Sequence, residues 1–216
     1  LNGRKMWITN GALDDRTPED FFLTLRWMAA QLKDGHARVQ HPMLKESGGL
    51  PILVDRIGGK VAIVAVAEGA EAACFEVGDV VTSIDGVPAR RELDASMEYI
   101  SGTPQWKECV ALREFGRGKR GTRARLVLER AGRTITCDAA RGFDGALQEK
   151  RPQPIEKLRD NAYYVDLSRV EMSAINLEVP SLAKAAGVVF DLRGYPNGTD
   201  EVLEHLTNEP LQSARW

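Results

Sequence analysis

The chain has 216 residues, 43% of them hydrophobic, and a net charge of −2. That length holds one large domain or two small ones around a buried core, and the near-neutral charge excludes the basic footprint of a nucleic-acid or anionic-membrane binder. No apolar run approaches the ~20 residues that span a bilayer, and the start Leu1-Asn2-Gly3 has neither an initiator Met nor the apolar stretch of a secretory leader, so the chain is expected to be processed or cut from a longer one.

Residues 17–33, TPEDFFLTLRWMAAQLK, predict a helix. Thr17 caps it, Pro18 suits its first position, and Glu19 and Asp20 complement its dipole. Phe21, Leu25, Met28 and Leu32 recur three and four apart, which makes them its expected apolar face. The helix stops at Asp34-Gly35-His36, where Gly35 supplies a left-handed residue and leaves His36 on a turn.

Residues 47–142 change character. SGGLPILVDRIGGKVAIVAVAEG reads as strand, glycine turn, strand, and EVGDVVTSIDGVPA as a short strand with Asp85-Gly86 turning it. ELDASMEYI and PQWKECVALREFG are helical, and TRARLVLERAGRTITCDAA is a hairpin about Ala131-Gly132. Short strands with two helices indicate a small, partly open barrel. GRGKRGTR, residues 116–123, is a solvated basic loop.

Residues 143–160, with Pro152 and Pro154, form a connector. NAYYVDLS then predicts a strand, 178–186 with its flanks a helix, GVVFDL a buried strand, and TDEVLEHLTN a second helix. Strand, helix, strand, helix begins an α/β layer. Two strands cannot bury both faces of such a layer, so the chain is expected to continue.

Cys74, Cys109 and Cys137 are too few and too widely spaced for a disulfide scaffold, and they read as scattered buried thiols. His36 and His41 are five apart, the wrong spacing for one helix face, so no metal or other cofactor is implied.

Three stretches carry chemistry. VVFDLRGYPNG, residues 188–198, ends a strand in Asp191 and Arg193 and then turns through Gly194, Pro196, Asn197 and Gly198. Backbone N–H groups gathered in such a turn stabilise an oxyanion; a phosphate is disfavoured, since no G-x-x-x-x-G-K-[ST] or G-x-G-x-x-G is present. His36 is a candidate general base, although no G-x-S-x-G supplies a nucleophile. GGLPILV together with VGDVVTSIDGVPA offers a glycine loop and an open-edged strand that suit an extended peptide.

GDVVTSIDGVPA resembles the core signature of a PDZ domain. LKDGHARV before it and GVVFDLRGYPNG after it resemble the flanking motifs of the tail-specific (carboxyl-terminal processing) and tricorn-core serine peptidases. The resemblance runs from about Thr17 to about His205, and the three motifs in this order are far more specific than any one alone. It implies an α+β fold in three parts: an N-terminal helical segment over 1–46, a PDZ-like partly open β-barrel with flanking helices over 47–142, and over 143–216 a linker with the first part of a ClpP/crotonase-like α/β peptidase core.

The resemblance also implies roles. His36 becomes the general base and the N–H of Asn197 or Gly198 an oxyanion donor, while the nucleophilic serine lies on a later strand, beyond Trp216. The PDZ part implies a polypeptide substrate, held through its C-terminus by Gly49, Leu50 and Ile52. The groove is expected between strand 52–57, with Ile52 and Leu53, and helix 93–100, with Met97. Two residues depart from the pattern. Asn197 stands where the family turn has glycine, and Pro51 lacks an N–H that a carboxylate would use. An oligomer is compatible with the resemblance, and export, for example to a periplasm, is favoured by it alone. The competing reading is a non-catalytic peptide-binding module, or a retinoid-type ligand-binding relative of the same core; the PDZ insertion argues against the retinoid branch.

Overall fold

The computed structural model describes residues 17–40, 46–69, 72–196 and 198–209. Its fold is α+β, in two compact units that meet in sequence at Lys150/Arg151, each with its own core.

Helix α1, Pro18–Ala30, opens with a capping box: Thr17 Oγ1 accepts the Asp20 N–H at 3.1 Å, and Asp20 Oδ2 accepts the Thr17 N–H at 3.1 Å. The helix buries a different face from the one its pattern suggests. Phe22 and Ala30 are buried, whereas Phe21 is 45% and Leu32 69% exposed. Phe22, Arg26 and Ala30, four apart, form the packed stripe, with the Arg26 guanidinium 5.8 Å from the Phe22 ring. Pattern alone does not choose between two apolar stripes on one helix. The left-handed residue after the helix is Lys33, with φ of 55°, and not Gly35.

The first unit is built on an open antiparallel sheet in the order β2 (Ile52–Ile57), β3 (Lys60–Val66), β4 (Val80–Ile84), β7 (Arg123–Arg130), β8 (Arg133–Ala140), with β5 (Val87–Pro88) on β4. A small second pair joins β1 (Ser47–Gly48) to β6 (Gly118–Lys119). Between β5 and β6 run helices α2 (Ala89–Met97) and α3 (Pro104–Arg113). The β7–β8 hairpin turns through Ala131 and Gly132, both at positive φ, as a two-residue primed turn requires. Ala124, Leu126 and Leu128 alternate inward along β7 and are fully buried, each leucine contributing about 1.5–3 kcal/mol of burial. The arrangement is PDZ-like and does not close into a barrel.

The cysteine reading needs correction. Cys74, in the β3–β4 loop, and Cys137, on β8, form a disulfide across 63 residues, and Cys109 is the free thiol. Only tertiary proximity makes this pair, so spacing holds no trace of it. Next to it Arg130 grips Asp79 through two hydrogen bonds of 2.6 and 2.7 Å and also reaches the Cys74 carbonyl at 2.9 Å.

The second unit is a three-stranded sheet in the order β11 (Gly187–Asp191), β10 (Ala162–Asp166), β9 (Ile155–Lys157). Strands β10 and β11 are parallel and joined through helix α4 (Met172–Leu182); β9 is antiparallel to β10. Thus the connector contains a third strand. It is three residues long and follows a proline, too short to show a period. Helix α4 begins earlier than expected, and Asp200–His205 is a 3-10 turn. Strand β11 is not buried: Val188 and Phe190 pack towards Val165 and Ile175, but Val189 on the other face is 54% exposed, as befits an edge strand covered on one side. No helix among the described residues is long and apolar enough to cross a membrane.

Candidate functional site

His36 stands on a turn that its own neighbours build. Ala37 donates to the Asp34 carbonyl at 3.0 Å, and the His36 N–H donates to Asp34 Oδ1 at 2.9 Å, an Asx-type turn. The same Oδ1 lies 3.2 Å from His36 Nδ1, and the His36 side chain is fully exposed. The hydrogen bonds from His36, the backbone one first, hold the Asp34 carboxyl below its ordinary range. An ionised Asp34 can accept from Nδ1, and in that tautomer Nε2 carries the free lone pair. Asp34 is thus a hydrogen-bonded partner of His36 that the Asp34-Gly35-His36 stretch contained and to which its pattern assigned no part. The turn is seated on the connection between α2 and α3, where the Asp34 N–H donates to Ser101 Oγ at 3.0 Å.

The candidate peptide groove is rearranged. Strand β2 pairs with β3 on one side, and among the described residues its other edge carries no strand. The helix that packs against β2 is α3, whereas α2 packs on β4, β5 and α3. Met97, in α2, packs against the core cluster to which Ile52 and Val54 of β2 also belong. Arg56 of β2 and Glu108 of α3 form a two-pronged ion pair, with N···O distances of 2.6 and 2.9 Å.

The loop before β2 departs from its expected role as well. Gly49 spends its N–H on the Phe143 carbonyl at 3.0 Å and accepts from Gly142 and Phe143, both at 3.1 Å, so it offers no donor to a carboxylate. Pro51 has none to give, and its carbonyl accepts from Ala67 at 2.9 Å. Leu50 and Ile52 point into the core, and Leu53, half-buried, takes the opposite face. A peptide at this edge would meet the backbone of β2 rather than those two buried side chains.

In the second unit, Asp166 and Asp191 are register partners at the carboxyl ends of β10 and β11, and both are buried. The Tyr164 hydroxyl links them, donating to Asp191 Oδ2 at 2.5 Å and lying 3.2 Å from Asp166 Oδ2. Asp166 also accepts from Arg169 Nε at 2.6 Å, Arg151 Nη1 at 3.0 Å, Ser168 Oγ at 2.6 Å and the Ser168 N–H at 3.0 Å. Burial alone would raise its carboxyl, but these donors outweigh burial and hold it well below the ordinary carboxylate range. Burial, then the bond to Asp191, pushes the Tyr164 phenol up to about 12.

Asp191 and Arg193 pair directly, the Arg193 guanidinium and N–H closing on both carboxylate oxygens. The following turn is pinned at both ends to the Leu167-Ser168 segment after β10. Gly194 lies against Ser168, and the buried Thr199 donates its hydroxyl to the Leu167 carbonyl at 2.6 Å. Gly198 adopts φ of 69°, the conformation in which glycine is easiest to accommodate. Asn197, the other oxyanion candidate, lies outside the described residues.

No protein-family model and no curated protein matches the sequence. Among solved structures, the chain is similar to mature CPAF, at 14% identity over 67% of this chain and 40% of that one, with a TM-score of 0.48. A CPAF mutant aligns at 26% identity over 55% of this chain and 23% of that one, with a TM-score of 0.45. An HtrA-type protease, AlgW, in a structure with a decapeptide, aligns at 17% identity over 61% of this chain and 36% of that one, with a TM-score of 0.30. The chain spans two-fifths or less of the length of each of these proteins.

Proposed function

We propose that this chain is the general-base and peptide-binding portion of a serine-type peptidase of the tail-specific or tricorn-core kind. The observation that carries the reading is the Asp34–His36 pair: a carboxylate 3.2 Å from Nδ1 of an imidazole whose other nitrogen is open to solvent. The pinned turn after Arg193, with Gly198 at its end, supports it as a source of oxyanion N–H groups. The open edge of β2 beside α3 supports polypeptide as the substrate class, bound as an added strand.

In this mechanism His36 Nε2 takes the proton from the hydroxyl of the peptidase's nucleophilic serine, as the hydroxyl oxygen bonds to the scissile carbonyl carbon. The negative charge on the carbonyl oxygen needs N–H donors, and Gly198 and Asn197 are the candidates that the resemblance names. When the carbon–nitrogen bond breaks, the same proton passes from His36 to the leaving amine, and water then repeats the sequence on the acyl-serine.

The test has two arms. Tryptic peptides of casein, labelled and with free or amidated C-termini, are titrated into the chain by fluorescence polarisation. Binding that survives amidation is expected, because Gly49 and Pro51 offer no carboxylate donor; no binding by any peptide rejects the groove. In the peptidase that carries this chain, His36→Ala lowers kcat by ~10²–10⁴ with peptide affinity kept. Unchanged kcat rejects His36 as the base.

A further inference from the structure

We propose that Trp106 is a positioning residue for the Asp34–His36 turn, and that through helix α3 it makes His36 responsive to a peptide lying along β2. The proposal rests on the reading of His36 as base and of β2–α3 as groove, and it adds a physical link between the two.

The link starts with two glycines. A Cβ on Gly35 would lie 3.3 Å from both Cδ1 and Nε1 of Trp106. One on Gly102 would lie 2.5 Å from Trp106 Cδ1 and 3.4 Å from the Gly35 Cα. The indole therefore fills the space where either side chain would stand, and Gly102 adopts φ of 132°, a region closed to other residues. Gly35 is the residue between Asp34 and His36, so the ring bears directly on the backbone that aims the imidazole. The neighbouring tie, Asp34 N–H to Ser101 Oγ at 3.0 Å, comes from the residue before Gly102. Ser101 is itself buried.

The other end of the link lies on the same helix. Trp106 is in the first turn of α3, where its N–H is capped by Thr103 Oγ1 at 3.3 Å. Glu108 is two residues on, about 200° around the helix, and holds Arg56 of β2 with both oxygens. One face of this ten-residue helix thus touches the candidate groove strand and the other touches the base-bearing turn. Both contacts are made from the same ten-residue helix, so a rigid shift of α3 at Glu108 would carry Trp106 with it. A peptide added to the open edge of β2 passes the Arg56–Glu108 pair, and any shift of α3 it causes is delivered to Gly35.

The experiment is NMR on the chain. First, the tightest-binding casein peptide is titrated into the wild type. The Gly35 Hα signals, set by the indole ring current, and the His36 amide should move saturably with occupancy. Second, amide exchange at Asp34 is compared in wild type, Trp106→Leu and Trp106→Phe. Loss of the indole should cut protection of the Asp34 amide about tenfold, the scale of one hydrogen bond, and phenylalanine should restore most of it. In the complete peptidase Trp106→Leu should lower kcat and leave KM unchanged. Gly35 and His36 signals unmoved by a saturating peptide, or unaltered Asp34 exchange in Trp106→Leu, overturns the proposal. If no peptide binds, the groove reading has failed instead, and the Trp106 variants alone decide whether the indole positions the turn.

Discussion

Gly194 and Ser168 meet so closely that a Cβ on Gly194 would lie 2.3 Å from both Cβ and Oγ of Ser168. No side chain is tolerated there without movement, and Ser168 cannot yield, because Asp166 holds both its hydroxyl and its N–H. Gly194→Ala is therefore expected to destabilise the protein by about 1–3 kcal/mol, as overpacking does. Urea denaturation measures this, and adding Ser168→Gly should recover part of the loss. A neutral Gly194→Ala would mean that the turn is not pinned at its first residue.

Asp166 supplies a pH dependence with a definite sign. Its carboxyl is lowered in the folded protein, so its stabilisation is present above the unfolded value of about 3.9 and is lost as pH falls from there towards the folded value. Asp166→Asn removes the charge and leaves Arg151 and Arg169 without their counterion. The variant should lose about 3 kcal/mol at pH 7 and show a flatter stability profile below about pH 4. Denaturation midpoints collected from pH 7 to pH 2.5 check both parts.

Tyr164 titrates in the opposite sense. Its phenol is pushed up to about 12 by burial and by Asp191, so its contribution is complete below the unfolded value and fades as pH rises through the folded one. Ultraviolet difference spectroscopy should show one of the four tyrosines ionising late, and Tyr164→Phe should abolish that late step. The same variant deprives Asp191 of a donor and should cost about 1–2 kcal/mol.

The Cys74–Cys137 bond closes a long loop in the unfolded chain. Cys74→Ala with Cys137→Ala is expected to cost about 4 kcal/mol, from the chain-entropy relation for a loop of this length. A cost near zero would mean that the Arg130–Asp79 contacts alone hold the β3–β4 loop.

What the amino-acid order revealed was what neighbours decide. Asp85-Gly86 and Ala131-Gly132 announced their hairpins because a two-residue turn needs those conformations locally. The PDZ-like unit and the Asp191–Arg193 strand end were legible for the same reason. Thr17 foretold its helix, and its partner Asp20 lies only three residues on. Where distant segments choose each other, order was silent. Helix α2 has the clearer apolar face of the two, yet α3 is the one that packs beside β2. Gly49 looked like a free donor until Phe143, 94 positions later, took its N–H. The Asp34–His36 contact spans only two residues, but the turn that makes it shows only in three dimensions.

The disulfide has a consequence for how the chain can be cut. Residues 74–137 form a covalent ring that contains strands β4 to β7 and helices α2 and α3. The exposed basic residues Arg117, Lys119 and Arg120 lie inside that ring. A trypsin nick among them leaves one molecule, heavier by a single water, whose two pieces part only when a thiol reductant is added. Groove strand and groove helix would then stay on one fragment, since Arg56 and Glu108 both precede Arg117, while strands β7 and β8 would sit on the other. Such a nicked protein would keep β4 and β7 on covalently joined pieces for as long as it stays oxidised.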